Sequence, residues 1–209
     1  MYKKVFIAIV VFSAVCGCGN RITSSKLSEI DSLVNAEKYD SAYHEVKRII
    51  PQLISNPEEK AYYNLLLTQT SVLTNNPYPP DSLIDFSISF YEIKVDKKKL
   101  CDSYYYKACY LINKGEYPEA ILLLKKAEEL ASQINSSYHQ MKIASSIAYL
   151  NEICGNYDIQ LQYAKRTLAY ALETKKKKWM ASSYSRISEA FLFQGKIEAK
   201  IGRAVQQEC

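Results

Sequence analysis

Glycine returns three times at an interval of forty residues, and this repeat constrains the fold more than any other feature of the chain. Gly115, Gly155 and Gly195 each follow a stretch of helical apolar periodicity and precede another. Glycine readily adopts the left-handed backbone conformation that ends a helix. Matching columns surround the three positions: the small residues Ala108, Ala148 and Ser188 stand seven places before, and Tyr117, Tyr157 and Ile197 stand two places after. The pattern predicts helix–turn–helix units with a turn at each glycine.

The stretches around Gly115 show one such unit. Residues 103–114 precede it and residues 117–131 follow it, both with apolar side chains at helical spacing. Pro118 suits the first turn of the second helix, where its missing N–H has no intrahelical partner to lose. The small residue of each unit is predicted to lie where two antiparallel helices cross closely.

Two further units are predicted upstream, 26–35 with 37–50 and 58–74 with 80–94. In the second of these, Asp81 is predicted to cap the second helix and Phe86 to occupy a core column. The chain has only six glycines and six prolines, which disfavours a β-sandwich or barrel. We expect about five helix pairs in one helical repeat domain over 25–209, without an internal boundary.

The columns resemble the tetratricopeptide repeat. In the unit around Gly115 they are Tyr104, Ala108, Leu111, Ala120, Leu124 and Ala127. Lys107, Gln160 and Lys200 depart from the consensus, and the period is forty rather than about thirty-four. The resemblance implies an all-α, right-handed solenoid of about five antiparallel helix pairs, with helices somewhat longer than usual. The chain also looks like bacterial repeat proteins with lipoprotein-type N-termini.

The resemblance further implies a concave groove lined by the first helix of each pair. Its predicted binding residues are Asp102, Tyr105 and Cys109, then Lys142, Ser145 and Tyr149, then Ser182, Ser185 and Glu189. Tyrosine offers a large contact area with a polar tip, which suits a binding surface. The alternative is that Tyr105 and Tyr149 only pack between helices. The set lacks the repeated Lys, Arg and Asn of a carboxylate clamp, so recognition of a peptide C-terminus is not expected.

The first eighteen residues are a different kind of segment. Lys3 and Lys4 precede the apolar run 5–15, which is long enough for a signal peptide and too short to span a bilayer. The run ends in "VCGC", which resembles the lipobox of bacterial lipoproteins and points to Cys18 as the lipidated residue; an ordinary secretory signal is the alternative. We expect a signal segment over 1–18, a linker over 19–24, and a lipid anchor in the envelope of a Gram-negative bacterium. In some lipoprotein groups surface export is associated with acidic residues just after the lipidated Cys. Because 19–22 are Gly, Asn, Arg and Ile here, the resemblance slightly favours the periplasmic side over the cell surface.

The internal cysteines do not form a disulfide framework. On one helix Cys101 and Cys109 would lie roughly 12 Å apart, too far for a disulfide. Together with Cys154 they are interpreted as small apolar residues of the core or groove.

No catalytic or metal-binding constellation is visible in the sequence. His44 and His139 lack Cys, Asp or Glu at metal-ligand spacing, and no phosphate loop or nucleophile elbow occurs. We therefore expect no enzymatic activity, no cofactor and no metal. The formal net charge of +5 is too weakly basic to indicate nucleic-acid binding. The lysine runs 97–99 and 175–178 are predicted to lie between helices as solvated charge, with contact to anionic lipid headgroups as the alternative.

The function expected from this pattern is a lipid-anchored scaffold that binds a protein or peptide partner in its groove. One alternative is the sensory part of a membrane-bound transcription regulator, and a second is a glycan-binding envelope lipoprotein. The chain stops at Cys209, within the predicted second helix of the fifth pair. We expect the uncapped apolar face there to mark a fragment of a longer protein or a surface for a partner, including a second copy.

Overall fold

The structure, a computed structural model, describes the backbone of residues 24–208 and the side chains of residues 24–195. The predicted signal segment 1–18 with Cys18, and the linker up to residue 23, lie outside the described residues. Every regular element within 24–208 is a helix, so the predicted all-α class is confirmed. None of these helices combines the length and apolar composition that crossing a membrane requires.

The chain forms two compact units, Met1–Asp96 and Lys97–Cys209. A single domain without an internal boundary stays a prediction. The described helices of the first unit are α1 over 24–35, α2 (Tyr39–Lys47), α3 (Pro57–Thr74) and α4 (Asp81–Lys94), with a short 3-10 turn at Pro51–Leu53.

Helix α3 is the central element of the first unit, because it packs against both α2 and α4. It starts where the Asn56 side chain accepts a hydrogen bond from the Glu58 backbone N–H at 2.8 Å. A helix covered on two sides is buried around most of its circumference, and consecutive residues such as Leu65 and Leu66 are both inaccessible. The buried hydroxyl of Thr70 donates to the carbonyl of Leu66 at 2.7 Å, which satisfies a polar group in this core.

The second unit contains five helices: α5 (Lys97–Lys114), α6 (Tyr117–Gln133), α7 (Ser137–Ile153), α8 (Tyr157–Glu173) and α9 (Lys177–Glu208). Helices α5, α7 and α9 begin forty residues apart, and so do α6 and α8. Each helix packs against its neighbours in sequence, and α7 also contacts α5 and α9. Because the connections are only two or three residues long, successive helices are antiparallel. We call α5, α7 and α9, which run in the same direction, the first layer; α6 and α8 form the second layer.

The turns at Gly115 and Gly155 are as the repeat predicts. Their φ angles are +80° and +73°, in the left-handed region where side chains are disfavoured. The small residues Ala108 and Ala148 are fully buried. The predicted turns are therefore confirmed for these two units, and a close helix crossing at the small residues stays a prediction.

The predicted turn at Gly195 is wrong. Helix α9 runs without a break from Lys177 to Glu208, and Gly195 has no positive φ. A glycine within a helix costs only about 1 kcal/mol, so it permits a turn without compelling one. The residues after Gly195, "KIEAKIGRA", include strong helix formers. As a consequence Tyr184 and Phe191, whose counterparts in α5 and α7 are buried, are more than half exposed.

Alanine substitutions at the three glycines should distinguish the two that form turns, Gly115 and Gly155, from Gly195, which lies within a helix. An added Cβ meets no atom within 4 Å at any of them, so only backbone conformation distinguishes the sites. Gly115→Ala and Gly155→Ala should each lower the free energy of unfolding by about 1–2 kcal/mol. Gly195→Ala should raise it by about 0.5–1 kcal/mol, because alanine favours a helix interior. Urea unfolding of the three variants measures this, and a loss of stability in Gly195→Ala would contradict the continuous α9.

Two predicted roles in α4 are also wrong. Phe86 is 37% exposed and stacks on Phe90, while the neighbouring Ser87 is fully buried and donates to the Ala61 carbonyl at 2.7 Å. The N-cap position of α4 is Pro80 rather than Asp81, which is the first helical residue. The connection before α4 is longer than the turns of the second unit, and this shifts the register of α4 relative to the repeat.

The prediction that both lysine runs lie between helices is wrong for most of their residues. Lys97–Lys99 form the first turn of α5, and Lys177 and Lys178 begin α9. The forty-residue pattern located the cores of these helices and placed their starts too late.

Candidate functional site

The nine predicted groove residues lie on the first layer, three on each of its helices. Helix α5 contains Asp102, Tyr105 and Cys109; α7 contains Lys142, Ser145 and Tyr149; α9 contains Ser182, Ser185 and Glu189. The members on α5 and the first member on α7 are brought together. Those on α9 remain more open, so the set divides into a closed part and an open part.

The closed part is organised around the ammonium group of Lys142, whose side chain is only 6% exposed. The Nζ atom lies 3.2 Å from Oδ1 of Asp102. It also lies 4.8, 5.1 and 5.0 Å from the ring centroids of Tyr105, Tyr106 and Tyr138. Aromatic faces attract a cation most strongly when water is excluded. We call Lys142, Asp102 and these three tyrosines the Lys142 cluster.

Burial opposes both charges of the cluster, but their mutual attraction prevails. Desolvation by itself would raise the pKa of Asp102, yet Lys142 and the bond from His139 lower that pKa to about 2. Desolvation would lower the pKa of Lys142, yet the surrounding tyrosines and Asp102 hold it well above its usual value. The pair therefore stays ionised at neutral pH and forms a largely buried, hydrogen-bonded ion pair.

His139 is a member of this site that the sequence analysis missed. Its Nε2 lies 3.2 Å from Oδ1 of Asp102, and its Nδ1 lies 2.6 Å from Oγ of Ser136. Ser136 is also the N-cap of α7. The interaction joins residues thirty-seven apart in sequence, so only the packing of α5 on α7 reveals it.

Acid should remove the contribution of Asp102 to stability. Its pKa of about 2 in the folded chain lies below the ordinary value of 3.8. The stabilisation is therefore fully present above about pH 4 and is lost as the pH falls towards 2. Its size is about 2 kcal/mol. Urea midpoints measured from neutral pH to pH 2 should fall less steeply in Asp102→Asn than in the wild type, and parallel curves would contradict the pairing.

The cysteines differ from one another. The Cys101 thiol is buried against the Ala127 carbonyl at 3.4 Å, and burial raises its pKa to about 12. Burial also raises the pKa of Cys109 to about 11, despite bonds with Tyr105 and Ser146. Neither thiol is poised as a nucleophile at neutral pH. Cys154 is exposed at the end of α7, so it is not a core residue.

The open part begins where α7 meets α9. Arg186 Nη1 lies 2.5 Å from Glu152 Oε2, and the guanidinium carbon of Arg186 lies 5.1 Å from the Tyr149 ring centroid. The Tyr149 side chain is held on one face by this contact and is still 39% exposed. Ser182 and Ser185 are exposed on α9. Ser185 donates to Glu189 at 3.1 Å, while Ser145 is half-buried on α7.

Comparison with protein-family models found no match, and comparison with curated proteins found none either. The function of the candidate site can therefore be inferred only from its own residues and their contacts. Among the residues that the structure describes, no group of three or more His, Cys, Asp or Glu side chains could hold a metal ion. What the arrangement offers is a largely buried, charge-paired cluster on α5 and α7 beside an exposed aromatic and hydroxyl surface on α7 and α9.

A second charged network lies on the other layer. Glu128 on α6 forms an ion pair with Arg166 on α8, with 2.8 Å between Oε1 and Nη1, and the Lys125 ammonium donates to the Tyr163 hydroxyl. Nothing in the sequence indicates that one of the adjacent acids at 128 and 129 connects α6 to α8. The network stabilises the second layer and lies on different helices from the predicted site residues.

Proposed function

We propose that this chain is a non-enzymatic scaffold with a tetratricopeptide-like solenoid fold, which binds a protein or peptide partner on its first layer. Four residues of the open part of the predicted groove form the binding surface in this proposal. We call these residues, Tyr149, Ser182, Ser185 and Glu189, the open segment. The recurrence of helix starts at 57, 97, 137 and 177 supports a repeat architecture. Such architectures present one helix of each pair to a partner along an extended surface.

The observation that supports binding most directly is the state of Tyr149. Its ring is oriented by Arg186 and remains 39% exposed. A tyrosine whose position is already fixed loses little side-chain entropy when a partner covers it. Tyr105, the equivalent residue on α5 in the prediction, is 9% exposed and serves the Lys142 cluster instead. The open segment is therefore the part of the predicted groove that a partner could reach.

Selection from a displayed peptide library with the full chain tests this function. Recovered peptides should bind the wild type and lose about tenfold or more in affinity to Tyr149→Ala, as for a central interface residue. Tyr184→Ala is the matched control, because Tyr184 is 55% exposed on α9 and lies outside the open segment. If Tyr184→Ala lowered the affinity and Tyr149→Ala did not, the peptides would bind to the exposed face of α9 around Tyr184 and Phe191. That result would contradict the proposal.

We also propose that Cys18 attaches the chain to the envelope membrane, on its periplasmic side. The support is the lipobox-like "VCGC" after a short apolar run. Incorporation of a labelled fatty acid in a bacterial host should be abolished by Cys18→Ala and retained in Cys16→Ala. Labelling that persists in Cys18→Ala would contradict the assignment.

A further inference from the structure

Two lysine runs that lie eighty residues apart in sequence occupy the same end of the second unit. Lys97–Lys99 begin α5, and Lys175–Lys178 form the turn into α9 and its first residues. Helix α7 lies between these two helices, and all three run in the same direction. The start of α7 is fixed beside the second run, because the Lys176 Nζ lies 5.8 Å from the Tyr138 ring centroid. We call the seven lysines the lysine edge.

The α5 side of this end is fixed in the same way. Asp102, one turn beyond the first run, bonds to His139 and Lys142 near the start of α7. Neighbouring helices lie about 8–10 Å apart, so α5 and α9 begin roughly 20 Å from each other. The lysine edge therefore places cations at the starts of α5 and α9, on either side of the start of α7.

Few acids lie close to this edge. Residues 97–101, 133–140 and 173–180 contain one acid, Glu173, while Asp96 and Asp102 flank the first range. Glu173 accepts a hydrogen bond from Ser137 at 2.6 Å. Five of the lysines are exposed and have no ion pair within the part of the chain that the structure describes: Lys97, Lys98, Lys175, Lys177 and Lys178.

Lysines at these positions also act against helix stability. The N-terminus of a helix has a partial positive charge, which favours acidic residues in the first turn. Helices α2, α3, α4, α6 and α8 have an acid there. Helices α5 and α9 have none and have lysines instead. This departure is confined to the helices of one layer, and it produces an edge to which the helix dipoles and the side chains both contribute positive potential.

Trp179 and Tyr138 give the edge a composition typical of membrane interfaces. Trp179 directly follows the second run and is half-buried, and Tyr138 is 39% exposed in the first turn of α7. Tryptophan and tyrosine favour the headgroup region, and lysine reaches phosphates as a flexible point charge. None of the residues at this end, 97–101, 133–140 and 173–180, is an arginine. Arginine is the preferred residue for planar, bidentate recognition of nucleic acids, so this composition favours a membrane surface over a nucleic acid.

We propose that the lysine edge docks the second unit on an anionic membrane surface, with phosphoglycerol-type headgroups as its ligands. Each lysine near such a surface strengthens binding by about fivefold. A row of helix starts matches a flat layer of headgroups. The inference does not depend on the open segment as a binding site, nor on lipidation of Cys18, because the test supplies the membrane directly.

Trp179 is the only tryptophan of the chain and reports on this edge alone. The full chain is mixed with vesicles of phosphatidylcholine or of phosphatidylcholine with phosphatidylglycerol, each with brominated acyl chains as quenchers. We expect Trp179 emission to shift to the blue and to be quenched with the anionic vesicles. Raising the salt from about 0.1 M to about 1 M shortens the Debye length from about 10 Å to about 3 Å and should reverse the effect. Equal quenching in both vesicle types would point to insertion of the apolar run 5–15 in place of docking by the lysine edge, and would overturn the proposal.

Matched charge variants complete the test. Replacing Lys97, Lys98, Lys177 and Lys178 by Gln should abolish the Trp179 response, whereas the same change at the exposed Lys38, Lys47, Lys60 and Lys165 should preserve it. Both variants lose four positive charges, and circular dichroism checks that both are folded. Equal loss in the two variants would show that net charge alone acts, which overturns the assignment. A Trp179 response to a DNA or RNA oligomer in place of anionic vesicles would identify nucleic acid as the ligand and also overturn it.

Discussion

Replacing Lys142 by methionine should lower the free energy of unfolding of the second unit by about 3–5 kcal/mol. Methionine keeps most of the apolar length of the side chain but removes the charge, which leaves Asp102 buried without its cation. The side chain of Asp102 is 17% exposed and that of Lys142 is 6% exposed, so water replaces the lost partner only in part. Urea unfolding followed by Trp179 fluorescence measures the effect, since this tryptophan is part of the second unit.

A double-mutant cycle assigns that loss to the pair. Asp102→Leu combined with Lys142→Met should be less destabilising than the sum of the single substitutions, with an interaction energy of about 0.5–3 kcal/mol. Lys165→Met is the control for removing a lysine, because Lys165 is exposed on α8. We expect it to cost less than about 1 kcal/mol. Additive effects at 102 and 142 would show that the two side chains do not stabilise each other.

Enlarging the small residue of the repeat should be harmful at Ala148 and harmless at Ser188. Ala148 is fully buried on α7, which packs against α8. Ala148→Leu inserts three carbons at this buried position and should lower the free energy of unfolding by about 1–3 kcal/mol. Ser188 occupies the same column forty residues later and is exposed, because α9 does not turn at Gly195. Ser188→Leu should change stability by no more than about 0.5 kcal/mol.

The pair of leucine variants also tests the course of α9. Thermal unfolding of both proteins, with the wild type beside them, measures the difference. If Ser188→Leu were as destabilising as Ala148→Leu, a second helix would have to cover that face of α9. The continuous helix would then be contradicted.

The site could be predicted in part. Asp102 and Lys142 differ by one repeat period and have opposite charges, so the period together with charge could have suggested their contact. Tyr106 and Tyr138 could not be assigned to the cluster, because tyrosine is abundant throughout the chain and only packing selects those that reach the ammonium group. His139 meets Asp102 across the α5–α7 contact, at a spacing that no local pattern indicates.

The sequence by itself determined the helices, their forty-residue recurrence and the turns at Gly115 and Gly155. These features depend on local backbone preference and on apolar periodicity within a single helix. The tertiary structure decided which charges are buried together, which lysines share an edge, and whether the chain reverses at Gly195. Glycine permits both a turn and a helix interior, and residues forty or eighty apart interact only after the layers pack. Those outcomes follow from the balance between burial and desolvation, which depends on neighbours that are remote in sequence.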